Sequence, residues 1–378
     1  FLGRDLEGAT LDDLQIARVR YDPGERIIVH YRATENGHGL DAVATAIARQ
    51  NLGAKVQNPR FTTMATIVNG RSPGRRPVAH DPEVDAIIAW LPFDAKLPGL
   101  AIPPHELVDR LTRAGVPVGD NREPVLVGYK PSSRAVLRLG DQILKAYGKD
   151  SHFEAARNGL LASGSSPSLC TVQLRAEFDD LRLTSQAAVD GTTPSEALDV
   201  AYESGEFLRI LQNQEFNDLP ATSPEHQKQE ADRHARLASV LVPDLSPQLE
   251  RLIERLNQSM PEDVELTPAH GDFHVDQLIA NEERLTVIDF DEMCRAPAAL
   301  DIATYAADVV RGCDQDLERA HATLQPLCEG YADTPAWIEW YLSTAILCRA
   351  TRPFRSQSSN WPERTRAIVR AADGALSS

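Results

Sequence analysis

The sequence predicts an α+β protein of two lobes, a small antiparallel sheet lobe and a larger helical lobe, preceded by an extra N-terminal α+β subdomain. Three observations predict it. Hairpin-like units recur in the first half, apolar positions take helical spacing beyond Pro194, and one short polar hairpin is embedded in that helical half. A chain of 378 residues is long enough for two or three packed units. The expected divisions are 1–120 for the N-terminal subdomain, 121–192 for the sheet lobe and 193–378 for the helical lobe, with a cleft between the two lobes.

Tyr21-Asp22-Pro23-Gly24-Glu25-Arg26 leads into the apolar run Ile27–Tyr31, and Tyr129-Lys130-Pro131-Ser132-Ser133-Arg134 leads into Ala135–Leu139. Each unit reads as a strand, a proline-containing turn and another strand. Two related sheets and a common hairpin solution both account for the repeat. Arg71–Pro77 is basic and carries Pro73, Gly74 and Pro77, which marks a surface loop. Val84–Leu91 reads as a strand, Pro92–Pro103 as an irregular connection and His105–Ala114 as a short helix. Gln142–Tyr147 is the third strand after Pro124, and Asp150 is placed as the N-cap of a helix containing Glu154. Strands follow at Cys170–Phe178 and Leu181–Val189, then helices over Ala201–Leu211 and within Glu225–Val242.

Composition narrows the function classes. The formal charge is −16 with 42% hydrophobic residues, a balance that excludes a nucleic-acid-wrapping surface and a polybasic membrane patch. No apolar run approaches the roughly 20 residues of a membrane span, and Phe1–Leu6 lacks a signal-like apolar core. The chain begins without Met, which is consistent with an earlier segment having been removed. Five cysteines without a CxxC pair fit reduced thiols in a cytoplasmic protein.

The chemistry is concentrated in His270-Gly271-Asp272-Phe273-His274-Val275-Asp276-Gln277 and the later Thr286-Val287-Ile288-Asp289-Phe290-Asp291. Leu278–Ala280 and Leu285–Phe290 read as strands around Asn281-Glu282-Glu283. A turn about Glu283 sets Gln277 opposite Asp289, roughly 5 Å apart at Cβ. Two oxygen donors that close can share Mg²⁺, which binds oxygen at about 2.0–2.1 Å. Asp272, upstream in the loop, is placed to accept a proton from an attacking hydroxyl. His270 and His274, four apart, also raise a zinc hydrolase, but further ligands in compatible positions are missing.

HGDFHVDQ, the IDFDE segment and Leu300-Asp301-Ile302-Ala303 together resemble the aminoglycoside phosphotransferase and choline kinase superfamily, which shares the protein-kinase-like fold. The likeness covers 124–378. Gln in place of the more frequent Asn looks most like the bacterial maltokinase and glucosamine kinase branch, whose members carry an additional N-terminal segment. The resemblance implies Asp272 as catalytic residue, Gln277 and Asp289 as magnesium ligands, and Asp301 as an anchor of the catalytic loop. Asp291 stands where Gly often follows and is assigned to a second ion or to substrate. Lys145 matches the strand lysine on the α- and β-phosphates of ATP, with Glu154 as its ion-pair partner and Asp150 or Glu177 as competitors. The turn Lys130–Arg134 takes the place of a phosphate-covering loop without a GxGxxG pattern, so backbone amides and the hydroxyls of Ser132 and Ser133 would serve. Gln186 to Val189 would be the adenine-contacting hinge.

The implied activity is ATP- and Mg²⁺-dependent phosphorylation of a sugar, amino sugar or related small alcohol by a cytoplasmic monomer or homodimer, with neither nucleic acid nor membrane as partner. Arg349, Arg352, Arg355 and Trp361 are candidate substrate groups, since sugars stack on Trp and accept hydrogen bonds from Arg. An antibiotic phosphotransferase and a non-catalytic small-molecule-binding pseudokinase are the alternatives.

Overall fold

The computed structural model describes residues 12–35, 38–72, 76–120, 122–216, 218–282 and 284–377. The readings of Phe1–Leu6, of Pro73 and Gly74 in the basic loop, and of Glu283 at the hairpin turn lie outside the described residues. Two compact units emerge, 1–154 with 174–188 and 355–357, and 155–173 with 189–354 and 358–378.

The first unit contains two five-stranded antiparallel sheets. The first comprises β1 (Asp12–Asp22), β2 (Arg26–Glu35), β3 (His38–Ile47), α1 (Leu52–Val56), α2 (Pro59–Val68), β4 (Val78–Asp81) and β5 (Ala86–Trp90), in strand order β1-β2-β3-β5-β4. The β1–β2 turn closes because Gly24 accepts φ +74° and Glu25 donates its amide to Asp22 O at 3.0 Å. Asn51 and Asn58 cap α1 and α2 by accepting the amides of Ala54 and Arg60 at 2.9 Å, and Pro59 fits the first turn of α2 because no amide is needed there. The connection α3 (Pro98–Ala101) and α4 (Pro104–Arg113) leads to β6 (Val125–Lys130), β7 (Arg134–Leu139), β8 (Gln142–Tyr147), α5 (Asp150–Ser165), β9 (Leu174–Phe178) and β10 (Leu183–Ala187). Their order is β6-β7-β8-β10-β9. The repeated sequence signal is therefore a repeated five-stranded arrangement, with helix inserted between third and fourth strands in both copies.

Several expectations shift here. Val84 is 58% exposed in a turn, and the strand expected at Val84–Leu91 is β5 alone, paired with a separate β4. The connection after Pro92 contains a helical turn, α3. Leu107, Val108 and Leu111 of α4 precede the expected boundary near 120, yet they share one core with Leu137, Leu144 and Leu183 of the second sheet. Asp150 lies inside the first turn of α5, rather than capping it. The strands expected at Cys170–Phe178 and Leu181–Val189 are shortened to β9 and β10; Thr171 instead makes a parallel bridge to Val287.

The second unit is mainly helical, with α6 (Ala201–Gln212), α7 (Pro224–Leu241), α8 (Ser246–Gln258), four short strands, α9 (Ala299–Ala307), α10 (Asp316–Tyr331), α11 (Ile338–Leu347), the short α12 (Arg352–Arg355) and α13 (Trp361–Ala375). Ser223 caps α7 through its hydroxyl, with Pro224 next to it. One continuous apolar core joins α6 to α13 through residues such as Leu208, Leu252, Tyr305, Ile346 and Ile368. The strands are β11 (Thr267–Ala269), β12 (Leu278–Ala280), β13 (Leu285–Val287) and β14 (Cys294–Ala296), and they pair as β11–β14 and β12–β13. Among the described residues no helix is long and apolar enough to cross a membrane.

Candidate active site

The nested pairing of the four short strands makes the site. Because β11 pairs with β14 while β12 pairs with β13, the loop from β11 to β12 and the loop from β13 to β14 must run side by side. The first carries His270 to Gln277 and the second carries Ile288 to Met293. Leu278 faces Val287 and Ala280 faces Leu285, which sets Gln277 opposite Ile288, one residue earlier than the expected pairing with Asp289. Arg284 donates its amide to Asn281 Oδ1 at 3.0 Å and Asn281 donates to Arg284 O at 3.1 Å, so the turn is tighter than read. The strand expected to run to Phe290 ends at Val287. Asp289 adopts a left-handed φ of +66°, and Phe290–Glu292 form a single 3₁₀ turn.

Hydrogen bonds hold both loops. The buried Asp301 carboxylate, at the start of α9, accepts the amides of His270 at 2.6 Å and Gly271 at 2.9 Å, which is the anchoring role expected of it. The fully buried His270 ring contacts Ile288 O at 2.9 Å through Nε2. Ile288 in turn donates its amide to Gln277 O at 2.9 Å, so the residue beside Asp289 is tied to both ends of the first loop. Phe273 stacks on Phe207 at 6.0 Å and on Tyr305 at 5.4 Å, pinning the residue after Asp272 into the core. Burying such a ring contributes about 1.5–3 kcal/mol.

Two glycines permit the close approach of backbones. A Cβ on Gly271, whose φ is +88°, would sit 2.1 Å from Glu292 O. A Cβ on Gly159 would sit 2.0 Å from Phe290 O, so α5 can lie directly on the turn following Asp289.

At the surface of this frame the Asp272 side chain is 49% exposed, against 12% for His274 beside it. His274 Nε2 lies 3.8 Å from Asp272 Oδ2 and 3.1 Å from Gln277 Nε2. Burial pushes Asp272 up, but His274, His270 and Arg349 outweigh it and hold the carboxyl below its ordinary range. The ionised, acceptor-only form is the one a general base needs. The sequence marks His274 only as a zinc candidate. The structure makes it the link between Asp272 and Gln277, and among the described residues no group of three His, Cys, Asp or Glu is arranged to hold a metal. The Gln277 amide nitrogen lies on His274, which leaves its amide oxygen available, and Asp289, expected as the second ligand, follows Ile288 at the start of the 3₁₀ turn; an amide oxygen and a carboxylate are the oxygen donors that Mg²⁺ takes.

Asp308 escaped the sequence reading because nothing near it in the chain marks it. It is buried within 3.6 Å of Arg349 and 2.8 Å of Arg352, with His274 Nδ1 at 4.0 Å. Burial raises Asp308, yet Arg349, Arg352 and His274 prevail and bring it down to about 2. Arg349, expected at the substrate, is instead 5% exposed, with its guanidinium donating to Ala345 O and Thr304 O at 2.9 Å. Burial lowers it to about 10. Arg352 remains 44% exposed. Trp361 is half-buried at the start of α13, edge-on to Phe354 at 5.2 Å, and Asp291 is buried in the 3₁₀ turn.

The Asp308 arrangement has a pH signature. An unfolded Asp titrates near 3.9, so a folded value of about 2 contributes about 2.6 kcal/mol. The contribution is fully present above the unfolded value and is lost as pH falls through the folded one. Asp308→Asn should therefore lower unfolding free energy near neutrality by about 2–4 kcal/mol, because Arg349 loses its buried counter-charge. The deficit should shrink towards pH 2. Urea unfolding of both proteins across pH 2 to 7 measures this, and a deficit independent of pH contradicts it.

Lys145 belongs to the first unit. It occupies the central strand β8, 4% exposed, between Val136 and Thr184. The expected ion pair with Glu154 is not formed, since Glu154 is exposed and has no cationic partner among the described residues. Ser132 has a φ of +59° and gives its amide to Asp94 Oδ2 at 2.7 Å, while the Ser133 amide goes to Lys130 O at 3.0 Å. Both amides expected to serve a phosphate are thus engaged, leaving the two hydroxyls. Gln186 is buried in β10 next to a register shift, and among the described residues its Oε1 accepts no hydrogen bond. Val189 opens the next stretch of the second unit.

Residues 114–340, more than half of the chain, match the Phosphotransferase enzyme family. No curated protein matches by sequence. Among solved structures, a choline/ethanolamine kinase family protein from Mesorhizobium loti is similar at TM-score 0.50 and 12% identity, over 73% of this chain and 96% of that one. Amicoumacin kinase hAmiN, in complex with AMP-PNP, Ca²⁺ and Ami, is similar at TM-score 0.51 and 12% identity, over 71% and 93%. These likenesses establish the protein-kinase-like fold.

Proposed function

The chain belongs to the phosphotransferase enzyme family, and on that premise we propose that it phosphorylates a hydroxyl of a sugar, amino sugar or related small alcohol at the expense of ATP. The observation that supports this reading is the pair of adjacent loops, one carrying a half-exposed Asp272 that His274 links to Gln277 and the other carrying Asp289. Asp272 orients the acceptor hydroxyl and takes its proton. Gln277 and Asp289 are the ligands for magnesium, His274 keeps Gln277 in place, and Lys145 and Gln186 of the first unit are assigned to the nucleotide. ATP with Mg²⁺ supplies the phosphoryl group and the neutralising charge. No covalent protein intermediate is required, because positioning and electrostatics carry this chemistry.

Gln277 in the motif, together with the N-terminal sheet, supports an acceptor like those of the bacterial maltokinases and glucosamine kinases. ATP consumption with Mg²⁺ should rise on addition of one member of a panel of maltose-like sugars, amino sugars, aminoglycosides and choline-like alcohols. ATP binding without acceptor-dependent consumption across the panel would reject a catalytic role in favour of a binding one.

A further inference from the structure

The first sheet borders a cavity of about 850 Å³ that shares only Ser132 with the residues assigned to catalysis or to the nucleotide. The volume lies in the range that holds small organic ligands. Ile28 of β2, Val43 and Ile47 of β3 and Ile87 of β5 give it an apolar floor, and Phe61 of α2 with Phe93 supply aromatic walls. Its polar lining is cationic. Arg49, Lys55, Arg60 and Lys96 all line it, and among the described residues none has a carboxylate within salt-bridge distance. The Lys55 ammonium donates to Gln50 Oε1 at 3.1 Å, and Arg60 donates to Ala95 O at 2.8 Å. Arg26, the fifth lining cation, is neutralised by Asp22 at 2.6 Å. Against these stand Glu25 and Asp94. A positive concavity is conspicuous in a chain of charge −16, and like charges gathered without counter-ions are costly unless an anion completes them. Burial, Arg26, Lys55 and Lys149 together lower Lys96, with Asp94 opposing.

The inner end of the cavity touches the second hairpin. Asp94 is 7% exposed and lines the cavity with Tyr129 and Ser132. Its Oδ2 accepts Tyr129 OH at 2.8 Å and the Ser132 amide at 2.7 Å, and its Oδ1 accepts the Lys96 amide at 2.9 Å. One carboxylate therefore joins the backbone of Lys96 to the left-handed residue of the 130–134 turn.

We propose that this cavity is an effector site for a small organic anion, an apolar ring or short chain bearing a phosphate, sulfate or carboxylate, and that its occupancy is transmitted through Asp94 to the Ser132 turn. The apolar body rests on Ile28, Val43 and Ile87 while the anionic head meets Arg60 and Lys96. Charge-assisted hydrogen bonds to the head fix its orientation, and an ordered Lys96 holds Asp94 and the turn more tightly.

The test uses the whole chain with 1-anilinonaphthalene-8-sulfonate as probe, in excess ATP and Mg²⁺. Saturable one-to-one fluorescence enhancement is expected, weakened about tenfold or more in Arg60→Glu/Lys96→Glu and by a similar factor for the uncharged N-phenyl-1-naphthylamine. Val43→Trp, which fills the apolar floor, should remove binding. Circular dichroism and thermal unfolding identify any variant that fails to fold, and the neutral analogue on the unaltered protein then decides. Hydrogen exchange at the Ser132 amide should slow when the probe is bound. Equal affinity of the neutral analogue, or unchanged affinity in folded variants, overturns the site. Unchanged exchange at Ser132 overturns the transmission. Neither readout needs turnover, so the result stands apart from the phosphotransfer reading.

Discussion

Asp272→Asn should lower turnover by about 10²–10⁴-fold while nucleotide affinity stays within about twofold of the parent. The substitution preserves the shape of the side chain and removes its charge. The supports of the loop are elsewhere. Asp301 holds the amides of His270 and Gly271, and Phe273 is anchored between Phe207 and Tyr305. None of these contacts uses the Asp272 carboxylate, which is half exposed, so thermal stability should hardly move. What disappears is the acceptor for the hydroxyl proton and the negative charge that attracts His274. Because the Asp272 carboxyl is held below its ordinary range, protonation of this group should not limit the parent enzyme until below about pH 4. Near-normal rates in the variant would remove the proposed base, and equal loss of nucleotide affinity and turnover would point to a collapsed loop instead.

The sequence was most legible where spacing alone constrains the chain. The hairpin after Gln277, the strand Gln142–Tyr147 and the helices at Ala201 and Glu225 each follow a period-two or helical pattern, and the structure has them. Register was legible only to one residue. The loop length between Ala280 and Leu285 admits more than one turn, and a tighter turn moves Gln277 from Asp289 to Ile288. Long-range partners were not legible at all. Asp308 meets Arg349 and Arg352 from one distant segment and His274 from another, and no local pattern announces such a cluster. Arg349 looked like a substrate group because sequence gives charge but not burial; its guanidinium is turned inward to carbonyls of α9 and α11. The repeated hairpins hinted at related sheets, yet their common strand order depends on β4 and β9 pairing at the far edges, and β4 is too short and too evenly half-buried to leave a period-two signal.

Asp289 provides the second large effect, and its backbone dictates how to test it. At φ +66° a side chain pays a conformational penalty that Asn and Asp tolerate better than Ala, whose cost is about 1–2 kcal/mol. Asp289→Ala would therefore mix strain with loss of charge. Asp289→Asn keeps the left-handed conformation, keeps one oxygen donor and removes the charge that makes a hard cation bind. Turnover should fall by about 10²–10³-fold, with the Mg²⁺ concentration for half-maximal activity rising at least about tenfold, the scale expected when a ligand that stabilises several kcal/mol of developing charge is weakened. Gln277→Ala should shift the Mg²⁺ dependence in the same direction but less, since a neutral amide is the weaker donor, and it also frees His274 from its 3.1 Å contact. Mg²⁺ titration of acceptor-dependent ATP consumption separates these cases. If Asp289→Asn loses turnover with an unchanged Mg²⁺ dependence, the carboxylate acts on something other than the cation, and the assignment of Gln277 and Asp289 as a shared metal site fails even if Asp272 remains the base.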